Sequence, residues 1–217
     1  MIVSATAQAA GSPSLFGLPY RALVWLDYRL AVVFCVALPL LLLIWAAVRR
    51  EGAIVRLLTL YWKVSSLLAV TVLFLSDGRP IGYALGVLAQ LLMITSVWFW
   101  VDLNEELDDL PPWRPLPLTV RIWRWGLTLF AGLGAIVSGT ALACLQRGGS
   151  ASCQVWLEAP AALMHQVDRV CSFVFGGNWT PEISVFFGYV GLIAYGVGLL
   201  QWLVVRLPRM GRVAGEF

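Results

Sequence analysis

Asp102, Glu105, Glu106 and Asp109 stand at spacings that gather four carboxylates within an arc of about 100° on one helix. Leu103, Leu107 and Leu110 occupy the neighbouring arc, so the acidic stripe has an apolar flank. Three chemistries suit that pattern. Hard cations take several carboxylate oxygens. A basic partner would dock on the stripe. Alternatively, the stripe is a solvated face paired with Arg114, Arg121 and Arg124 beyond the prolines that follow. A prenyl-diphosphate enzyme would need Asp-rich motifs in two places, and this chain has one such stretch, Asn104 to Asp108, with proline at 112.

Lys63 is a lone cation within an apolar run, and an intramembrane charge is by default a functional candidate. Thr59 and Ser66 share its helix face, and Thr95 and Ser96 lie at similar depth. Two placements compete: Lys63 reaches inward to Asp102 or these hydroxyls, or it snorkels outward to the headgroups. Four cysteines occur, at 35, 144, 153 and 171. Cys153 with Cys171 is the candidate disulfide, and there is no CxxC redox motif. His165 is the only histidine, which excludes a bis-histidine haem. Nucleophile elbow, HExxH, Walker and dinucleotide motifs are absent. No catalytic residue, cofactor or metal ligand is assigned.

These groups must be positioned by membrane helices. The chain has 217 residues, 60% hydrophobic and 12% charged, about half the charge of a soluble domain. Crossing hydrocarbon takes about 20 apolar residues. Five stretches qualify, over about 30–48 with Pro39 inside, 57–75, 81–101, 125–145 and 183–205. The third is expected to continue as a helix through the acidic stripe. From the N-terminus, the tails and gaps hold 2, 3, 1, 3, 2 and 3 arginines. Positive residues near span ends stay cytoplasmic, so the N-terminus is expected outside and the C-terminus inside. The net charge of +3 thus reflects threading and not nucleic acid. Trp45, Trp62, Trp98, Trp100, Trp123, Trp125 and Trp202 cluster near inner span ends, as an interfacial belt would. Glycines and serines in the fourth and fifth spans predict that both lie inside the bundle. Between these spans, Trp156, Pro160, Leu163, Val167, Val170 and Val174 recur at helical spacing. They predict an amphipathic helix on the outer surface, with Pro160 near its start.

Four strings carry a resemblance: VWLDYRLAV at 24–32, WFWVDLNEE at 98–106, PPWRPL at 111–116 and CQVWLE at 153–158. Together they resemble an uncharacterised family of integral membrane proteins of cyanobacteria. The resemblance implies a cyanobacterial plasma or thylakoid membrane. It carries no functional residues.

The sequence therefore predicts an all-α, polytopic five-helix bundle. It has a flexible tail at 1–20, one transmembrane domain at 21–212 and a short tail at 213–217. Absent catalytic groups favour a non-enzymatic accessory or assembly factor whose partners are lipid and other complex subunits. The alternatives are a small permease built on Lys63 and, below it, a lipid-modifying enzyme at the inner face. The candidate functional residues are Lys63, Asp102, Glu105, Glu106, Asp109, Arg121 and Arg124.

Overall fold

The computed structural model describes residues 14–15, 18–111, 113–146 and 150–214. Most of the expected flexible tail at 1–20 lies outside them, apart from a two-residue ladder pairing Ser14–Leu15 with Leu18–Pro19. Five helices are long and apolar enough to cross a membrane: Tyr20–Arg49, Gly52–Leu75, Ile81–Trp98, Pro115–Leu145 and Pro181–Arg209. They alternate in direction, with Arg49, Arg50 and Arg56 at one end and the Cys144–Cys153 disulfide at the other. We call these the basic and disulfide ends.

The first helix begins at Tyr20, ten residues before the expected start at Leu30. Hydropathy alone stops at Arg29, Asp27 and Arg21. Tertiary contacts carry the helix further, because Tyr20 and Val24 are buried at its start. Pro39 marks its middle, and residues Val32–Ala37 widen into a π-turn. Proline has no N–H. The Cys35 carbonyl therefore lacks its i+4 donor and the Phe34 carbonyl its i+5 donor. Neighbouring helices supply both: Tyr61 Oη donates to Cys35 O at 3.1 Å and Trp123 Nε1 to Phe34 O at 3.0 Å. Hydrocarbon offers no water for this, so a membrane proline depends on such partners.

The second and third helices form the centre, and the fourth packs on the third. The fifth does not lie inside, contrary to the small-residue expectation. It leans on the second helix through Gly188 and Gly191, where an added Cβ would sit 3.0 Å from Val70 at Gly191. Gly196 and Gly198 meet nothing within 4 Å. Small residues permit close approach, but here only those of the disulfide half of the helix use it. The tryptophans of the expected belt differ in burial, and Trp125 is exposed. Trp100 and Trp123 are buried, and Trp100 and Trp98 pack edge-on or tilted against Trp202 and Trp125.

The third helix stops at Trp98 instead of running on. Trp100 is extended, with φ −84° and ψ 113°, and a separate short helix spans Val101–Asp108. The fourth gap forms one continuous helix, Ala151–Phe175, with Pro160 internal and not near the start. The carbonyl that Pro160 frees, Trp156 O, accepts from Tyr28 Oη at 3.1 Å. The first half of this connecting helix is the part with buried side chains, Cys153, Trp156 and Pro160. Val170, Phe173 and Val174 are exposed.

That continuous helix also corrects the disulfide. Cys153 and Cys171 lie 18 residues apart on it, about 27 Å along the axis, whereas a bridge needs Cα atoms within about 7 Å. Cys153 instead bridges Cys144, Cα to Cα 5.8 Å, and Cys171 is a free thiol. A second tie joins the connecting helix to the first. Glu158 accepts Arg21 Nε at 2.8 Å and Trp25 Nε1 at 2.9 Å. The Trp25 bond, then Arg21, holds the Glu158 carboxyl below its ordinary range. A carboxyl lowered on folding stabilises above its unfolded pKa, and that stability is lost as pH falls through the folded value. Glu158→Gln is expected to lower the thermal midpoint at pH 7 by the equivalent of at most about 1 kcal/mol. The gap between variant and wild type should narrow as pH falls below the ordinary glutamate range. A gap that does not narrow in acid would contradict the assignment.

Candidate functional site

At the basic end the acidic stripe is divided among separate partners. Asp102 accepts the Ala214 N–H at 2.9 and 3.0 Å. Glu106 pairs with Arg56, and Asp108 with Arg121 at 3.5 Å. Arg114 pairs with Glu51 at 3.7 Å. Glu105 and Asp109 are exposed. The C-terminal segment turns at Gly211, φ +63°, and returns to this helix, where Val101 N donates to Arg212 O at 3.0 Å. Ala214 is therefore docked and Val213 exposed, and the rest of that expected tail lies outside the described residues.

The break after Trp98 explains the arrangement. A helix end leaves carbonyls without intrahelical donors. Three side chains from three segments take them. Arg124 Nη2 donates to Val97 O at 2.6 Å, Asn104 Nδ2 to Trp98 O at 3.1 Å, and Arg212 Nε to Phe99 O at 2.8 Å. Arg124 also donates to Asn104 Oδ1, and its guanidinium lies 4.2 Å from the Trp98 ring centroid. It is only 6% exposed. Arg124 is thus a structural cap and not a partner of the stripe. Lys63 sits on the exposed face of the second helix and not in the bundle interior.

A different place in the molecule gathers unused polar groups. The first two helices pack closely only toward the basic end. Above that, a cleft of about 540 Å³ separates them, floored by the third and fourth helices and roofed by the connecting helix. Val32, Val36, Ser66, Ala69 and Leu163 form its exposed rim, so it opens sideways toward lipid. Its wall is apolar apart from a few groups, of which Asp27 and Gln90 matter most. Gln90 is 5% exposed and its Oε1 has no hydrogen-bond partner. It lies about 14 Å along the third helix from Ile81, near mid-membrane. A Cβ on Gly134 of the fourth helix would stand 2.7 Å from Gln90 Nε2 and 2.9 Å from Asp27 Oδ1. Glycine is thus what lets these two side chains occupy one spot. Residues 21–215 match the family described as "Protein of unknown function (DUF3177)". The chain belongs to that family. No curated protein and no solved structure matches it.

In this DUF3177 protein the sequence reading placed its candidates at the basic end and overlooked Asp27 and Gln90. The signal for Asp27 was present. Tyr20, Val24, Ala31, Cys35, Leu42 and Ala46 form the inward stripe of the first helix, and Asp27 occupies the stripe position between Val24 and Ala31. A carboxylate on the inward stripe of a membrane helix marks function by default. It was masked because Arg21 and Arg29 made the whole segment look like a tail. Gln90 carries no charge and sits singly in an apolar run, so nothing short of a contact distinguishes it.

Proposed function

We propose that this membrane protein is a non-enzymatic accessory protein that holds a lipid-soluble small molecule in the lateral cleft. One observation carries the reading: the cleft lies within the usual 300–1,000 Å³ of small-molecule sites, is walled by apolar side chains, and opens to the bilayer and not to water. The chemistry on its walls binds and orients, and no histidine base is among the lining residues. The arginine distribution favours a cytoplasmic basic end, which would put the roofed side of the cleft in the outer leaflet. A permease working through Lys63 lacks comparable support, because Lys63 does not border the cleft.

Native mass spectrometry of protein released from nanodiscs tests this. Wild type is expected to retain a non-covalent small molecule or lipid at about one per chain. Ala69→Trp, which fills the cleft from an exposed rim position, should lose it. Equal retention by both proteins, or none by wild type, would defeat the reading.

A further inference from the structure

The polar groups around the cleft differ in what they leave unused. Tyr28, Ser65, Ser66, Thr71 and Tyr83 each donate their hydroxyl proton to a backbone carbonyl: Trp156, Trp62, Lys63, Leu67 and Cys153 respectively. Their donors are spent inside the protein. Gln90 Oε1 is a buried acceptor without a partner. Asp27 makes no hydrogen bond or ion pair with the described residues. Buried polar atoms in native proteins are nearly always paired, and an unpaired one costs about 1–3 kcal/mol. Around Gly134 the cleft therefore presents three acceptor oxygens, the two of Asp27 and Gln90 Oε1, with the Gln90 amide and the Ser138 hydroxyl as the nearby donors.

The other unpaired buried atom at the cleft wall, Trp62 Nε1, is a donor. Gly82 faces Leu75 and Gly86 faces Thr71, which puts Gln90 level with residues 67–68 and Trp62 about 8 Å nearer the basic end. The demand for donors is thus confined to the Asp27–Gln90 end.

Resting on the cleft reading above, we propose that the bound molecule is an amphiphile whose polar end donates hydrogen bonds, an ammonium or a hydroxyl group, to Asp27 and Gln90. Its apolar body fills the cleft toward Val32, Val36 and Met93. An anionic head is disfavoured, because a second carboxylate at this place would face the Asp27 carboxylate.

The test uses wild-type protein in nanodiscs and three probes with one chain and three heads: dodecylamine, dodecanol and dodecanoate. Each competes with a fluorescent alkyl probe known to occupy the cleft by its loss in Ala69→Trp. The expected order is dodecylamine tighter than dodecanol, with both at least tenfold tighter than dodecanoate. Asp27→Asn should remove the advantage of the amine over the alcohol and leave the alcohol bound. Gln90→Leu should weaken both by about fivefold while leaving the fluorescent probe unaffected, which separates lost recognition from misfolding. An amine preference that survives Asp27→Asn overturns the assigned contact. Equal binding of the three heads overturns this inference and leaves the cleft reading standing. Absence of probe binding to wild type overturns both.

Discussion

Arg124→Ala is expected to lower the stability of this protein more than any other single charge removal. The guanidinium holds two acceptors, Val97 O and Asn104 Oδ1, and lies against the Trp98 ring. Hydrogen bonds to a charged group contribute about 1.5–3 kcal/mol each, so losing two gives about 3–6 kcal/mol. The truncation also leaves the Val97 carbonyl without that donor at a helix end. Arg124→Lys keeps the charge but not the planar fork, and should recover less than half. Thermal unfolding in nanodiscs, followed by tryptophan fluorescence, measures this directly. Arg114→Ala is the control, since Arg114 is exposed and its partner Glu51 stands at 3.7 Å. Equal midpoints for the two variants would remove Arg124 from its role as the cap. A loss specific to Arg124 should also free the acidic helix Val101–Asp108, detectable as faster amide exchange there.

The second large effect is expected at the opposite end. Cys144 and Cys153 close a loop of sequence separation 9. Chain-entropy arguments put such a bridge at about 2–3 kcal/mol. Cys144→Ser, or reduction of wild type, should lower the midpoint correspondingly and raise amide exchange over the first half of the connecting helix. The basic end should be unchanged. Peptide mapping gives the independent check: a linked Cys144–Cys153 peptide, with Cys171 alkylated without reductant. Free Cys144 in protein taken from native membranes would refute the pairing. Because disulfides persist on oxidising faces, the linked peptide would also support the threading inferred from the arginines.

Much of the frame was legible because it follows from two strong constraints. Hydrocarbon thickness sets helix length, and five spans were visible from that alone. Arginine placement then grouped the span ends. What failed had a common cause: neighbouring segments replace local signals. The first helix outran its hydropathy because Tyr20, Val24 and Trp25 have partners on the connecting and fourth helices. Conversely, the third helix stopped before its pattern did, because Asn104, Arg124 and Arg212 satisfy the exposed carbonyls and make a break tolerable. Cysteine pairing failed because Pro160 was taken as a helix start, when a tyrosine from another helix supports it within the helix. Two carboxylates of the acidic stripe have partners that were not the expected ones, Ala214 N–H for Asp102 and Arg56 for Glu106, while Arg121 pairs with Asp108 beside the stripe. Arg124, one turn beyond Arg121, was drawn inward by carbonyls that no sequence spacing reveals.

Tyr28 and Cys35 lie seven residues apart on the first helix, two turns along the same side. At one the helix gives a proton to Trp156 O, and at the other it receives one from Tyr61 Oη. Lipid is as apolar as leucine, so burial alone leaves the azimuth of a membrane helix about its own axis weakly specified. Two directional bonds of opposite sense specify it. Turning this helix by one residue, about 100°, would break both together. The azimuth so fixed also determines where Asp27, next to Tyr28, can point. The two prolines that open those carbonyls act as keys that set the first helix in its lock.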